Sequence, residues 1–389
     1  MNCRTVVLAC ASLCAAGQAC AAEWSVAPRL SWTMDHDSNR LVIEDERASQ
    51  SGKLQLDLFL KRATPTTLFT LQPHVGWQRY TNGINQNTNN QSLSAAGTWV
   101  RDRSRLAAQA SWSRDDTLNN EIEETGAFTG TTQRRTKLAA LSWTAEQSSL
   151  SQFHAQLSFS DVEYQYERFF TLFGVTIPVR SLHGYQYPSI SLTQTHLWSD
   201  RSSVQLSGYA GRLISTGDTP DSDSYGVDAG WDHALTARIK LFISAGVSRQ
   251  GVSGRNQDGY IGRLEVTRQE VLGQWRLFAR RSVAASGYGY LVTQDEAGVS
   301  FERRMTPRWN GLLSMRSFLS EDITLDQRRD SRRYERAEAA LSWRAAPAWQ
   351  LRGAVAFARA RRSGEAPLSD GWSTLLQAVW SPQPRAMSR

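Results

Sequence analysis

The chain is 389 residues long with a net charge of +7 and a mean hydropathy of −0.45, so it has the length of two ordinary domains and the polarity of a water-soluble protein. No linker, charge block or change of composition divides it, its basic residues are too evenly spread to form a nucleic-acid patch, and after the leader no stretch has the ~18 apolar residues of a membrane helix. Yet it carries 14 Trp, 11 Tyr and 13 Phe. A chain polar on average, rich in aromatics and without long apolar runs has the texture of a membrane β-barrel, in which only alternate residues meet lipid.

The chain opens with a short basic start, Met1 to Arg4, and an apolar or small-residue run, Thr5 to Ala16. Ala19-Cys20-Ala21, or the neighbouring Cys20-Ala21-Ala22, offers a small-x-small cleavage site. This layout predicts a secretory signal peptide over 1–22, with the mature chain starting at Ala22 or Glu23. The competing lipoprotein reading would anchor Cys20, but Gly17-Gln18-Ala19 lacks the aliphatic lead. All four cysteines, Cys3, Cys10, Cys14 and Cys20, fall inside the leader. Disulfides, thiolate metal sites and cysteine nucleophiles are therefore excluded from the mature chain.

From Trp24 onward the dominant signal is period-two alternation. Leu54, Leu56, Leu58 and Leu60 fall on one face of a strand, and Gln55, Asp57 and Phe59 on the other. Leu106, Ala108, Ala110 and Trp112 repeat the pattern, as do Phe153 to Phe159, Ile239 to Val247 and Trp349 to Phe357. Roughly eighteen such segments of about ten or more residues follow one another, starting near Trp24, Ser51, Thr66, Gln91, Ser104, Arg134, Ser149, Ser181, Asp200, Ser222, Ala237, Gly259, Gly273, Gly287, Pro307, Arg332, Ala348 and Asp370. They predict an all-β fold: an antiparallel transmembrane β-barrel of about sixteen to eighteen strands over 23–382, with a periplasmic tail over 383–389.

Short connections, such as Arg101-Asp102-Arg103 and Thr306-Pro307-Arg308, alternate with long polar ones, such as Ser38 to Gln50 and Asn119 to Gln133. Short periplasmic turns and longer outside loops are the pattern of bacterial barrels, and place both termini in the periplasm. Trp99, Trp198, Trp275, Trp309 and Trp349 lie beside short turns. Tyr80, Tyr164, Tyr166, Tyr185, Tyr225, Tyr260, Tyr288 and Tyr334 lie toward the long loops, so two aromatic belts are expected.

Candidates for chemistry are few. Asp35-His36-Asp37 lies where the first strand meets its loop, and a His between two Asp is a conceivable general base. A solvated strand end is the simpler reading. Asp232-His233 lies near a short turn, and His74 and His154 read as lumen or interface residues. Glu121, Glu123 and Glu124, with Asp115 and Asp116, form an acidic loop without the spacing of a calcium site. No Gly-x-Ser-x-Gly, His-Glu-x-x-His or phosphate-loop motif occurs. No enzyme activity, cofactor or metal is expected.

The informative surface is the inner one. Alternation assigns Arg29, Lys53, Asp57, Arg263, Glu265, Arg276, Arg280, Glu302, Arg304, Arg316, Glu338, Arg344 and Arg352 to the lumen. Arginine leads, more so toward the C-terminal half. A barrel of this strand number has room for an aqueous channel. The alternative is a salt-bridged, plugged interior. The loop Phe169 to Val179 is too apolar for water and is expected to fold inward, meet the lipopolysaccharide layer or bind a partner.

The start of the mature chain, Trp24-Ser25-Val26-Ala27-Pro28-Arg29-Leu30 followed by Asp37-Ser38-Asn39, resembles a loosely defined family of outer-membrane β-barrel proteins found with exopolysaccharide and PEP-CTERM gene clusters in proteobacteria. Arginine-rich hairpins and length also fit. Arg40 stands where that family often has Pro, and a tail, Ser381 to Arg389, follows the aromatic Trp380 on which the last strand ends. The resemblance implies a role around surface polysaccharide and identifies no catalytic residue. The expected function is a channel for a hydrophilic solute, with polysaccharide export or passage of anionic glycans as the cargo. The alternative is a structural or adhesive barrel whose loops bind partners. Expected partners are outer-membrane lipid, lipopolysaccharide, the barrel assembly machinery and polysaccharide, without nucleic acid.

Overall fold

The computed structural model describes residues 23–39, 48–81, 87–116, 133–165, 169–172, 175–178, 182–217, 219–252, 255–322, 331–362 and 369–386. The leader, Tyr166, and the acidic residues Glu121, Glu123 and Glu124 lie outside them.

The described strands run in chain order as follows. The first seven are β1 (Glu23–Asp37), β2 (Ser49–Ala63), β3 (Thr67–Tyr80), β4 (Thr88–Arg101), β5 (Ser104–Asp116), β6 (Gln133–Glu146) and β7 (Ser151–Gln165). A small hairpin, β8 (Phe169–Leu172) and β9 (Val175–Pro178), comes next. Then follow β10 (Tyr185–Ser199), β11 (Ser202–Ser215), β12 (Ser222–Ala234), β13 (Ile239–Val252), β14 (Arg255–Gln269) and β15 (Gly273–Ala285). The last are β16 (Leu291–Arg304), β17 (Trp309–Asp322), β18 (Ser331–Ala346), β19 (Trp349–Arg362), β20 (Ser369–Trp380) and β21 (Arg385–Ala386).

Each long strand pairs antiparallel with the next, β7 pairs β10 past the small hairpin, and β20 returns to β1. The result is a closed barrel of eighteen long strands. Closure leaves no sheet edge in hydrocarbon, where each unpaired backbone group costs several kcal/mol. The seam runs from Leu30 opposite Trp380 to Asp37 opposite Ser373. The segment expected as a tail returns to the sheet, Arg385 and Ala386 pairing with Val26 and Ser25.

Local chemistry explains the short turns. Thr64, Thr236 and Thr306 each use the side-chain hydroxyl to accept the backbone N–H three residues on, at 2.9, 3.0 and 3.1 Å. These caps satisfy donors that the ladder leaves free. Asp102, with φ of 48°, takes the left-handed conformation in the two-residue β4–β5 turn, which Asp tolerates better than most side chains.

The register puts like side chains on one face. Leu30 lies opposite Leu56 and Trp32 opposite Leu54, and all four are exposed on the outer surface. Charge there costs about 2–4 kcal/mol near the midplane, so the outer band is apolar. The short-turn end bears an outward ring of indoles that includes Trp99, Trp275, Trp309 and Trp349. The tyrosines behave differently from the second belt expected. Among the described residues of that set only Tyr225 and Tyr260 face outward; Tyr80, Tyr164, Tyr185 and Tyr334 share the inward phase of their strands. Proximity to a long loop does not fix phase, and these rings fill the loop end of the interior instead.

Strands of 12 to 16 residues exceed the 9–11 needed to cross a bilayer, and project beyond it. The interior is accordingly graded. Toward the long loops the inward side chains are packed: Leu213, Ser222, Phe318 and Ser320 have no exposed surface. Toward the short turns, inward residues such as Leu68, Gln274 and Arg304 are exposed.

A strap contributes to the closure. Residues Ser286–Tyr290, between β15 and β16, reach the wall at β10–β12. His183 N donates to Gly287 O at 2.7 Å, and Thr219 Oγ1 donates to Gly289 O at 3.1 Å. Leu291 at the foot of the strap packs with Leu213 of β11, both fully buried. The Arg332 guanidinium of β18 lies 4.0 Å over the Tyr288 ring. Strands β10 and β16 are six positions apart around the ring, so they meet only across the lumen.

Candidate functional site

The inner wall of β14–β19 is rich in arginines, among them Arg263, Arg276, Arg280, Arg316, Arg336 and Arg352. The register brings each of these beside an acid on its own or a neighbouring strand. Three acids are each held between two arginines. Glu265 Oε2 accepts from Arg263 Nη2 at 2.5 Å, and both its oxygens accept from Arg276 at 3.1 and 3.2 Å. Glu296 lies between Arg280 and Arg316, the latter at 2.6 Å. Glu338 lies between Arg336 at 3.3 Å and Arg352 at 2.6 Å. Each triad thus sets two guanidiniums, which carry a fixed positive charge, against one carboxylate.

Aromatic faces hold several of these guanidiniums from the other side. Arg263 lies 5.4 Å over Phe242, Arg276 5.2 Å over Phe278 and Arg316 5.5 Å over Phe318. The heads are thus fixed in direction while Arg276 and Arg280 stay nearly half exposed to the lumen. Exposure of this order limits the stability each pair contributes.

The remaining residues assigned by alternation occupy the same face. Arg29 stands opposite Asp57, whose carboxylate meets His74 Nδ1 at 2.7 Å. Lys53 stands opposite Thr33, Arg304 opposite Asn310 and Arg344 opposite Gln350. Glu302 accepts from Asn310 Nδ2 at 2.7 Å. Sequence reasoning missed Glu296 and Arg336, although both share the phase of assigned neighbours, Glu302 and Glu338. Along one wall, Arg352 and Gln377 line both a cavity of about 350 Å³ toward the long loops and one of about 240 Å³ toward the short turns.

The other candidates separate. Asp35 and Asp37 share the inward phase and His36 the outward one, so Asp35-His36-Asp37 forms no cluster. Asp35 bonds Ser51, and Asp37 Oδ1 accepts from Asn39 N at 3.0 Å. His233 turns away from Asp232 to stack on Trp231 and meet Ser202 Oγ at 2.6 Å. His154 bonds Thr144 at 3.0 Å. Among the described residues no three His, Cys, Asp or Glu gather as a metal site. Within the apolar stretch Phe169 to Val179, Phe169–Leu172 pairs antiparallel with Val175–Pro178, Phe169 opposite Pro178; residues 173, 174 and 179 lie outside the described residues.

No protein-family model matches the sequence, and no curated protein matches it. Solved structures match the fold. Acinetobacter baumannii OccAB2 is similar at 10% identity over 92% of this chain and 98% of its own, with a TM-score of 0.50. The copper transporter OprC is similar at 9% identity, over 92% of this chain and 80% of its own, also at 0.50. Pseudomonas aeruginosa OpdK, solved with vanillate, aligns at 12% identity over 93% and 98%, with a TM-score of 0.48. At such identities the likeness concerns the fold. A closed, even-stranded antiparallel barrel with an apolar outer band is a Gram-negative outer-membrane barrel.

Proposed function

We propose that this barrel is an outer-membrane channel for hydrophilic solutes that favours anions. Its short-turn end and both termini lie in the periplasm, and its long loops lie at the cell surface. The observation that carries the reading is the set of three Arg–Glu–Arg triads on one inner wall. A walled, low-dielectric passage with a surplus of one sign concentrates the opposite ion. Guanidinium pairs bidentately with carboxylate, so carboxylate-bearing solutes are the favoured class. The resemblance of the mature N-terminus to barrels encoded with exopolysaccharide genes favours an acidic glycan among these.

The test is a reversal potential across a planar bilayer under a salt gradient, repeated with Arg276→Glu, Arg316→Glu and Arg352→Glu together. Anion preference in the parent and its loss or inversion in the triple variant are expected, with a smaller effect at high salt. Cation preference in the parent, or an unchanged triple variant, overturns the reading. A second reading is favoured by the packed loop end and its strap: a closed barrel that anchors surface loops for partner binding. Absence of any conductance separates it from the first.

A further inference from the structure

The outer face of β6 to β14 carries two adjoining grooves. One, of about 880 Å³, crosses β6 to β12 between Leu141, Leu157, Phe159 and Ile190. The other, of about 700 Å³, crosses β10 to β14 between Leu192, Val227 and Val247. They share Ile190, Ala210 and Tyr225. The grooves exist because Gly208 and Ala210 give β11 almost no outward side chain between ridges of larger ones. Both hollows lie within the band that lipid must cover.

Each groove is apolar along its length and ends, at the long-loop end, in an ion pair. Arg212 caps the first, 3.2 Å from Asp221 and 3.8 Å from Asp223. Arg249 caps the second, paired with Asp258. Lys137, beside the first groove on β6, lies 2.8 Å from Asp161 and 2.9 Å from Glu163. All three cations face outward and are about half exposed. Five carboxylates face the three cations, but a guanidinium carries five donors and an ammonium three, so each head retains a donor for an anion. With neighbouring strands ~4.8 Å apart, Lys137 and Arg212 are separated by ~14 Å and Arg212 and Arg249 by ~10 Å across the sheet.

We propose that these grooves bind the acyl chains of a phosphorylated glycolipid of the outer leaflet, the lipopolysaccharide class, whose phosphates meet Lys137, Arg212 and Arg249. Cations spread over this width fit a head group carrying separate phosphates on a sugar scaffold. They fit a single phosphodiester less well, since it would reach one of them. The acids beside the cations give places for divalent ions that bridge phosphates. The proposal rests on the long-loop end being at the cell surface.

The experiment uses the refolded full chain in detergent, with native mass spectrometry reading retained lipid. The probes are bisphosphorylated lipid A, its dephosphorylated form and phosphatidylglycerol. The bisphosphorylated form is expected to be retained about tenfold more tightly than the other two. The triple variant Lys137→Ala, Arg212→Ala, Arg249→Ala, and separately Ala210→Trp, which fills the junction of the grooves, should abolish that margin. A control removing outward cations elsewhere, Arg281→Ala, Arg333→Ala and Arg359→Ala, should keep it. Heat-modifiable gel mobility confirms that every variant is a folded barrel. Equal retention of the three probes, a preference for phosphatidylglycerol, or a triple variant that behaves like the control overturns the site. Orientation is read independently from protease access to the 117–132 loop on whole cells. Protection there overturns the topology and with it the outer-leaflet assignment, even where detergent binding persists.

Discussion

Arg276 meets Glu265 as a two-pronged fork across the β14–β15 pair, Nε to Oε1 at 3.1 Å and Nη2 to Oε2 at 3.2 Å. The same carboxylate also holds Arg263. One acid therefore fixes two cations in the lumen, and its removal acts in the opposite sense from removal of an arginine.

Glu265→Gln should raise anion preference, because the site gains a full positive charge and loses none. The two arginines are nearly half exposed, so their repulsion is screened and the loss of stability should stay near 1 kcal/mol. The reversal potential under a salt gradient should move further toward the anion limit than in the parent. No movement would mean that this triad lies off the ion path.

Leu56→Arg and Gln55→Arg differ by one position and by the face they occupy. The first places a guanidinium in hydrocarbon at a cost of about 2–4 kcal/mol, and the second adds a cation to the inner wall. Folding yield, read as heat-modifiable mobility after refolding into lipid, should fall sharply for the first and little for the second. Equal yields would refute the strand phase.

Gly289 sits in the strap with φ of 79°, and a Cβ there would lie 2.5 Å from Thr219 Oγ1 and 2.8 Å from Ser215 Oγ. Gly289→Ala should lift the strap from the β11–β12 wall. It imposes a strained backbone worth ~1 kcal/mol in addition to the clash. Single-channel conductance should rise while the strands keep their protease resistance. Unchanged conductance would show that the strap does not limit the passage.

Strand existence was legible because each strand has one greasy and one polar face over many residues. The expected starts agree with the observed ones to within about four positions. Three starts depart by four positions; Gly259 against Arg255 is one, and the other two, Ser181 against Tyr185 and Gly287 against Leu291, fall where His183 and the strap meet. There the chain leaves period-two geometry to cross the lumen, and alternation carries no information about a segment that follows neither face. Phase alone also put Arg280 and Arg316 inside but could not name their shared partner. Glu296 lies on the strand between theirs, and only the register shows that it stands directly opposite Arg280 and on the diagonal to Arg316, next to its opposite residue Phe318. The outward cations Arg212 and Arg249 were not foreseen, because a lipid-facing phase argues against charge until strands are known to outrun the bilayer.

The seam between β1 and β20 has a consequence for the order in which the barrel forms. Elsewhere the wall joins strands that follow closely in sequence, so hairpins can form early and add one to the next. At the seam, Asn39 Nδ2 donates to Asp370 O across 331 residues, and Gln377 Nε2 to Thr33 Oγ1 across 344. For a flexible chain, closing a loop of that length costs ~3 kcal/mol more than closing a fifteen-residue one. The ring is therefore completed last, by its first and final strands. Until then both of their edges stand open, and a growing sheet in that state needs a partner edge or a shielded site, since lipid offers its backbone no hydrogen bond.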